Sequence, residues 1–308
     1  MAANLTHPLR AVRCYSCDMT TSTAAPTDRP IPILASIEEL GSPRDAWLTD
    51  IWGVMHNGVA PFQRASEACI RFREAGGTVL LLSNAPRPHA SVAEQLDRIG
   101  VPRAAWDAIL TSGDASRALI GTYGGRPVFP LGPERDAPLY DGLPITLSDA
   151  AAAEVISCTG LFDDESETPD NYTALLAGFA ARNLPMICAN PDLTVERGNR
   201  IVYCAGAIAA EYEKLGGKVS YAGKPHGPIY DLALDALAKL RAQPVPRDRI
   251  LAIGDGIRTD ITGAARAGIA SVFIASGVHV ASELTSEGLD ELFPDPAIRP
   301  LAAMTALA

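Results

Sequence analysis

The chain has 308 residues, of which 47% are hydrophobic and 20% are charged, and its formal net charge is -10. This length can bury one large core or two moderate ones, and the negative charge repels phosphate-rich surfaces, so we expect no partnership with nucleic acid or with a membrane. No run approaches the roughly 20 apolar residues of a membrane-spanning helix, and the N-terminal part lacks the apolar block of a signal peptide, which favours a cytoplasmic location.

The chain begins with residues 1–30, a stretch rich in Thr, Ser, Ala and Pro that has no hydrophobic periodicity. We expect this stretch to be a disordered leader. An apolar segment, Ala46–Leu48, then leads into Thr49 and Asp50 and is followed by a loop punctuated by glycines. This pattern is typical of a buried strand that places a carboxylate at the end of a sheet.

The next segments alternate between helical and extended patterns. Apolar residues at helical spacing predict a helix between Phe62 and Gly76, and Thr78–Leu82 predicts a second buried strand that ends at Ser83 and Asn84. Another helical pattern follows. The order of strand, helix, strand and helix predicts an α/β fold built on a doubly wound parallel sheet.

The middle of the chain has a different pattern. Residues 113–217 contain short strand candidates separated by acidic and polar loops, and this run is too long for a loop, so we interpret it as an inserted α/β domain. The core domain is then predicted to comprise residues 31–112 and 218–308. Its second part has strands predicted at Val219–Ala222, Arg249–Ile253 and Ser271–Ala275 and a helix at Ile229–Leu240.

Polar residues follow four of the predicted strands, namely Asp50, Ser83 with Asn84, Lys224, and Asp255 with Asp260. In an open parallel sheet the carboxyl ends of the strands share one edge, where ligands bind. Carboxylates from two strands suit Mg²⁺, which prefers oxygen ligands, and a carboxylate beside this ion can attack phosphorus to give an aspartyl-phosphate. A serine hydroxyl, backbone N–H groups and a lysine would bind the phosphoryl oxygens and balance their charge.

Two other phosphate-binding motifs are excluded by single residues. The segment around Gly254 and Gly256 is not a dinucleotide fingerprint, because Thr259 occupies the position of the third glycine. The pair Gly223-Lys224 is not part of a P-loop, because Pro225 follows the lysine where a P-loop has Ser or Thr.

The segments Asp50-Ile-Trp-Gly-Val, Ser83-Asn84, Gly223-Lys224-Pro225 and Gly254-Asp255-x-x-x-Thr259-Asp260 together resemble the motifs of the haloacid dehalogenase-like (HAD) hydrolases. The resemblance covers about residues 46–275. The long insertion between the second and third motifs is similar to the branch with a large α/β cap, which includes nucleotide, p-nitrophenyl-phosphate and pyridoxal-phosphate phosphatases. The resemblance implies a Rossmann-like core with a cap domain at residues 113–217, and a small phosphorylated metabolite as substrate.

The resemblance also implies a role for each motif residue. Asp50 would be the nucleophile and a Mg²⁺ ligand, and Trp52 would offer its backbone carbonyl to the metal. Ser83 and Asn84 would hold the phosphoryl group, and Lys224 would balance its charge. Asp255 would ligate Mg²⁺, with Asp260 in support. An exposed cap surface could pair two copies, so a homo-oligomer through the cap is a further expectation.

One position departs from the family pattern. Phosphatases of this family usually carry a second aspartate two residues after the nucleophile, which protonates the leaving group, and Trp52 stands there. An indole cannot exchange a proton near neutral pH, and loss of a general acid costs about 10²–10⁴ in rate.

Three readings follow from Trp52. In the first, the protein hydrolyses phosphate esters, either those with good leaving groups or with the help of an acid such as His56. In the second, it binds a phosphometabolite as a catalytically impaired regulator. In the third, it performs another reaction of the family, such as dehalogenation. Candidates for contact with the substrate in the inserted domain are Asn190, Pro191 and Asp192, and the pair Glu196-Arg197.

Overall fold

The computed structural model describes residues 30–197, 200–275 and 284–308, with only the backbone described at residues 196 and 197. The predicted leader at residues 1–30 therefore lies outside the described residues, except for Pro30. Among the described helices, none is long and apolar enough to cross a bilayer.

The described chain alternates between strands and helices. The strands are β1 Ala46–Asp50, β2 Thr78–Ser83, β3 Ala108–Thr111, β4 Pro127–Leu131, β5 Thr146–Leu147, β6 Val155–Cys158, β7 Pro185–Cys188, β8 Thr194–Arg197, β9 Arg200–Tyr203, β10 Lys218–Tyr221, β11 Ile250–Gly254, β12 Ala270–Ile274 and β13 Ala302–Met304. The α-helices are α1 Gln63–Glu74, α2 His89–Ile99, α3 Ser112–Gly121, α4 Thr173–Ala181, α5 Ala205–Lys214, α6 Gly227–Leu240, α7 Thr262–Arg266 and α8 Ser286–Leu292.

The first sheet has six parallel strands in the order β13-β12-β11-β1-β2-β3. Neighbouring residues of β1 point to opposite faces, so Trp47 packs with α1 and α2, whereas Leu48 packs with α6. All five residues of β1 are buried because helices cover both faces. The predicted doubly wound parallel sheet is confirmed.

The second sheet has five parallel strands in the order β10-β7-β6-β4-β5. Helices α4 and α5 cover one face, where Phe179 and Tyr212 are buried against Met186. Helix α3 lies between the two sheets, since its Ala115 belongs to the core of the first sheet and its Ile120 to the core of the second. A separate antiparallel ribbon joins β8 to β9. The predicted inserted α/β unit is therefore present, while the limits drawn for it at residues 113 and 217 stay a prediction.

Strand β10 corrects one expectation. The sequence predicts that Val219–Ala222 resumes the first sheet, and this is wrong, because β10 pairs with β7 at the edge of the second sheet. The strand alternates between exposed Lys218 and Ser220 and partly buried Val219 and Tyr221. Such alternation marks a strand with one covered face, unlike the fully buried strands at the centre of the first sheet.

Candidate active site

Two strands of the first sheet bring two carboxylates together. Asp50 is the last residue of β1, and Asp255 directly follows β11, which is the neighbour of β1 in the sheet. The strand order reverses between β1 and β11, since β2 and β3 lie to one side and β12 and β13 to the other. Ligands of open α/β sheets bind at the carboxyl ends of the strands beside such a reversal.

Lys224 enters this site from the loop after β10, so it is supplied by the second sheet. The side chain is buried, and its Nζ donates to Asp50 Oδ1 at 2.7 Å, to Asp260 Oδ1 at 2.8 Å and to the carbonyl oxygen of Leu82 at 3.1 Å. An ammonium group has three N–H donors, so all of them have acceptors. The lysine therefore holds the two carboxylates in fixed positions across the interface between the sheets.

Asp260 serves mainly as a partner of the lysine. It lies in a π-helical turn, Ile257–Ile261, that follows β11. Its Oδ1 accepts from Lys224, and its Oδ2 accepts from the backbone N–H of Gly256 at 3.1 Å and from the hydroxyl of Thr259 at 3.3 Å. Both carboxylate oxygens of Asp260 thus have hydrogen-bond donors within the protein.

The site carries more negative charge than its lysine balances. Carboxylate oxygens of Asp50, Asp255 and Asp260 lie within 4.8 Å of one another. Burial and the charge of Asp260 raise the pKa of Asp50 well above its usual range, and the same causes raise the pKa of Asp255 to about 7. Burial by itself lowers the pKa of Lys224, but the charges of Asp260 and Asp50 outweigh it and keep the lysine protonated.

This donor set fits a hard divalent cation. Buried carboxylates that repel one another gain most from a cation with oxygen preference, such as Mg²⁺ or Ca²⁺. Because the oxygens of Asp260 already have partners, Asp50 and Asp255 are the residues best placed to hold such an ion.

The loop after β1 passes close to Asp255. Gly53 has a positive φ of 77°, and a Cβ at this position would lie 2.0 Å from Asp255 Oδ2, so only glycine fits. The adjacent Trp52 side chain is 36% exposed, stands edge-on to His56 with ring centroids 5.5 Å apart, and lies against Gly58. The tryptophan ring therefore packs on its own loop, while the main chain of that loop faces the carboxylates.

Ser83 and Asn84 lie at the end of β2, but their side chains have different surroundings. The hydroxyl of Ser83 accepts from the N–H of Ala85 at 3.1 Å and is only partly buried. The amide of Asn84 is committed to the protein: Oδ1 accepts from the N–H of Lys224 at 2.8 Å, and Nδ2 donates to the Lys224 carbonyl at 3.0 Å and to Asp192 Oδ1 at 3.2 Å. Any contact of Asn84 with a phosphoryl group would thus come from its main-chain N–H.

His56 is unsuited to the role of a borrowed acid. Its Nδ1 accepts from the N–H of Gly58 at 2.8 Å, so Nε2 carries the proton of the neutral ring. The side chain is buried, and this burial lowers the pKa of His56 to about 4. The imidazole is therefore neutral at physiological pH and does not act as an imidazolium acid.

The same burial predicts acid sensitivity of the fold. The folded-state pKa of about 4 lies below the ordinary 6.5, so the unfolded chain binds more protons between these values, and stability falls as the pH drops through this window. His56→Asn can keep the hydrogen-bond acceptor for Gly58 but does not titrate. We therefore expect the free energy of unfolding to fall by about 1–2 kcal/mol less in this variant than in wild type between pH 7.5 and pH 4.5, a figure that allows for partial solvent screening. Urea unfolding at pH 4.5 and 7.5 measures the effect, and the exposed His89→Asn is the matched control. An unchanged pH slope in His56→Asn would contradict the assignment.

Asp192 brings a further carboxyl group to the site from the second sheet. It lies in the loop after β7 and contacts Asn84 of the first sheet, as described above. The sequence predicts only that this loop is a candidate for substrate contact. A signal was nevertheless present, because Asn190, Pro191 and Asp192 follow a buried strand, as the other site residues do. The side chains of Glu196 and Arg197 lie outside the described residues.

Two family profiles and a crystal structure are similar to this chain. A family profile described as haloacid dehalogenase-like hydrolase matches residues 47–144, and a second, described as HAD-hydrolase-like, matches residues 221–300. A crystal structure of a haloacid dehalogenase-like hydrolase from Brucella suis 1330 is 45% identical, with a TM-score of 0.79, and the match covers 90% of this chain and 100% of that one.

Two other similar proteins are named as phosphatases. The ribonucleotide monophosphatase NagD of Escherichia coli is 32% identical over 111 residues, which cover 36% of this chain and 41% of the NagD sequence, so the match spans less than half of that relative. The p-nitrophenyl phosphatase from Archaeoglobus fulgidus is 22% identical, with a TM-score of 0.70 over 86% of this chain and 97% of that one. At this identity the second likeness concerns the fold alone.

Proposed function

Because the chain belongs to the haloacid dehalogenase-like hydrolases, we propose that it is a Mg²⁺-dependent hydrolase of small phosphate monoesters that forms an aspartyl-phosphate on Asp50. The observation that carries this proposal is that the two carboxylate oxygens of Asp50 differ in their hydrogen bonds. Oδ1 accepts from Lys224 Nζ at 2.7 Å and from the N–H of Ile51 at 2.7 Å, whereas Oδ2 accepts no hydrogen bond from the part of the chain that the structure describes, in which the side chains at residues 196 and 197 are not included. Oδ2 is therefore the oxygen that can attack phosphorus.

The remaining residues have roles that follow from their positions. Asp50, Asp255 and the main-chain carbonyl of Trp52 would hold Mg²⁺, which supplies charge stabilisation for the phosphoryl oxygens when it is bound. Ser83 and the main-chain N–H of Asn84 would contact the phosphoryl group. Lys224 neutralises the charge of Asp50 and is itself held by Asp260.

The substrate class follows from the charge of the site and of the whole chain. A site with an ammonium group, a cation site and backbone donors suits a phosphate group, while the net charge of -10 disfavours large polyanions. We therefore propose a small phosphorylated metabolite, with neither nucleic acid nor membrane as partner. A homo-oligomer through the inserted domain stays a prediction.

The experiment is a panel of alkyl and aryl phosphate monoesters assayed with purified protein in Mg²⁺ and in EDTA. We expect turnover that requires the metal. Absence of metal-dependent turnover for every ester would contradict the proposal, and release of halide from halo-acids without a metal would favour the dehalogenase reading instead.

A second function is supported by Trp52. A phosphometabolite-binding regulator would keep the metal and phosphate contacts but lack an acid, and the Trp52 side chain provides none. Micromolar binding of phosphometabolites without product would identify this function. Brisk turnover by the wild-type protein would exclude it.

A further inference from the structure

Hydrolysis of an alkyl phosphate needs a proton donor, and neither the three clustered carboxylates nor His56 supplies one. The departing alkoxide is a strong base, so its protonation lowers the barrier by a large factor. Asp50 and Asp255 face the cation site, Asp260 is held by Lys224, and the imidazole of His56 is neutral. A further acid must therefore reach the leaving oxygen of the ester.

The second sheet delivers such a group. From the geometry of the loop after β7, we propose that Asp192 is the general acid that protonates the leaving oxygen and then the general base that activates water. This inference rests on the proposed phosphatase function. Asp192 Oδ1 accepts from Asn84 Nδ2 at 3.2 Å, and the same amide binds the main chain of Lys224, whose ammonium contacts Asp50.

The loop that carries Asp192 is held firmly in place. The N–H of Asp192 donates to Asn190 Oδ1 at 3.0 Å. Helix α5 packs directly on the loop, since a Cβ at Gly206 would lie 2.3 Å from the Pro191 carbonyl oxygen and 2.5 Å from that of Asp192. Pro191 in turn lies against Gly223, where a Cβ would be 2.9 Å from the proline ring. Both contacts fix the main chain of this loop relative to α5 and to the loop that carries Lys224.

The surroundings of Asp192 make its carboxyl group a weaker acid than a solvated aspartate. Burial raises the pKa of Asp192, the charge of Asp260 raises it further, and Lys224 and the hydrogen bond from Asn84 oppose the shift. The charge of Asp192 also acts on Asp255 and on the buried thiol of Cys188. A carboxyl group in this environment can give up a proton to an alkoxide and recover it from water.

The reaction balances with these groups alone. Asp50 Oδ2 forms a bond to phosphorus while the ester P–O bond breaks, and the leaving oxygen takes the electron pair of that bond and the Asp192 proton. Asp192, now a carboxylate, removes a proton from water as the water oxygen attacks phosphorus and the aspartyl P–O bond breaks. Inorganic phosphate forms, the Asp50 carboxylate is regenerated, and Asp192 is again protonated.

The test compares an alkyl phosphate with p-nitrophenyl phosphate in wild type and Asp192→Asn. The asparagine can keep the hydrogen bond from Asn84 but has no proton to give. We expect kcat/KM for the alkyl ester to fall by about 10²–10⁴ and that for the aryl ester, whose leaving group needs no proton, by less than about tenfold. With the aryl ester, the variant should accumulate phosphorylated enzyme, because its water is no longer activated.

Matched variants separate this role from a structural one. Asp170→Asn changes an exposed aspartate of the same domain and should leave both esters unaffected. Asp192→Ser, with a smaller side chain, should show the same selectivity as Asp192→Asn. Equal losses for both esters, or none, would overturn the assignment of Asp192 while leaving the phosphatase proposal intact. Absence of wild-type turnover with either ester would instead refute the proposed function, and this inference with it.

Discussion

Replacing Asp50 with asparagine is expected to abolish turnover of every phosphate ester, with a loss in kcat on the order of 10⁴–10⁶. The amide is not a nucleophile and is a poorer ligand for a hard cation, while its oxygen can still accept from Lys224 and Ile51. Steady-state kinetics with p-nitrophenyl phosphate and Mg²⁺ measures the loss.

Stability is expected to change in the opposite direction in this variant. The raised pKa of Asp50 means that its charged form destabilises the metal-free fold at neutral pH, through burial and repulsion by Asp260. Asp50→Asn removes this charge, so its Tm in EDTA should be equal to or above that of wild type. Asp97→Asn, at an exposed carboxylate paired with Arg103, is the control for activity. Retained turnover in Asp50→Asn would refute Asp50 as the nucleophile.

Replacing Lys224 with methionine is expected to destabilise the metal-free fold by about 3–5 kcal/mol at pH 7.5, because it leaves Asp50 and Asp260 buried without a cation. Turnover should also be lost. Urea unfolding in EDTA measures the stability, and Lys218→Met, which alters an exposed lysine of β10, is the matched control. The control should change stability by less than about 0.5 kcal/mol.

The pH dependence of this penalty identifies its cause. Without the lysine, the pKa of Asp50 rises further above its usual range, so the native state binds more protons than the unfolded state and gains stability as the pH falls. The penalty of Lys224→Met should therefore shrink between pH 7.5 and 5. The wild-type lysine itself does not titrate in this range, because its raised pKa lies above 10.5. A penalty that is constant with pH would indicate a packing defect instead.

Much of the fold could be predicted because its signals are local. The central strands β1, β2 and β11 are short apolar runs buried on both faces, and each ends at, or directly before, a residue of the candidate site. Apolar residues at helical spacing similarly indicate α1 and α6. These patterns depend on neighbours in sequence, and the sheet arrangement then brings Asp50 and Asp255 together.

The expectations that failed or fell short concern pairing across the two sheets. Strand β10 has a recognisable pattern, but a strand does not encode its partner, and this one joins β7 at the edge of the second sheet. Lys224 therefore follows a strand of the second sheet, while its side chain contacts carboxylates of the first. Likewise, the sequence does not indicate that the side-chain amide of Asn84 forms hydrogen bonds with Lys224 and Asp192, because these contacts join residues more than 100 positions apart.

The most direct test of the proposed aspartyl-phosphate mechanism is the identification of the phosphorylated residue. Wild type and Asp192→Asn are mixed with p-nitrophenyl phosphate and Mg²⁺, quenched in acid, digested and examined by mass spectrometry. We predict one phosphoryl group on the peptide that contains Asp50, at higher occupancy in Asp192→Asn than in wild type, and none in Asp50→Asn. Metal-dependent turnover with no phosphorylated peptide in either protein, or with the phosphoryl group on another residue, would contradict this mechanism.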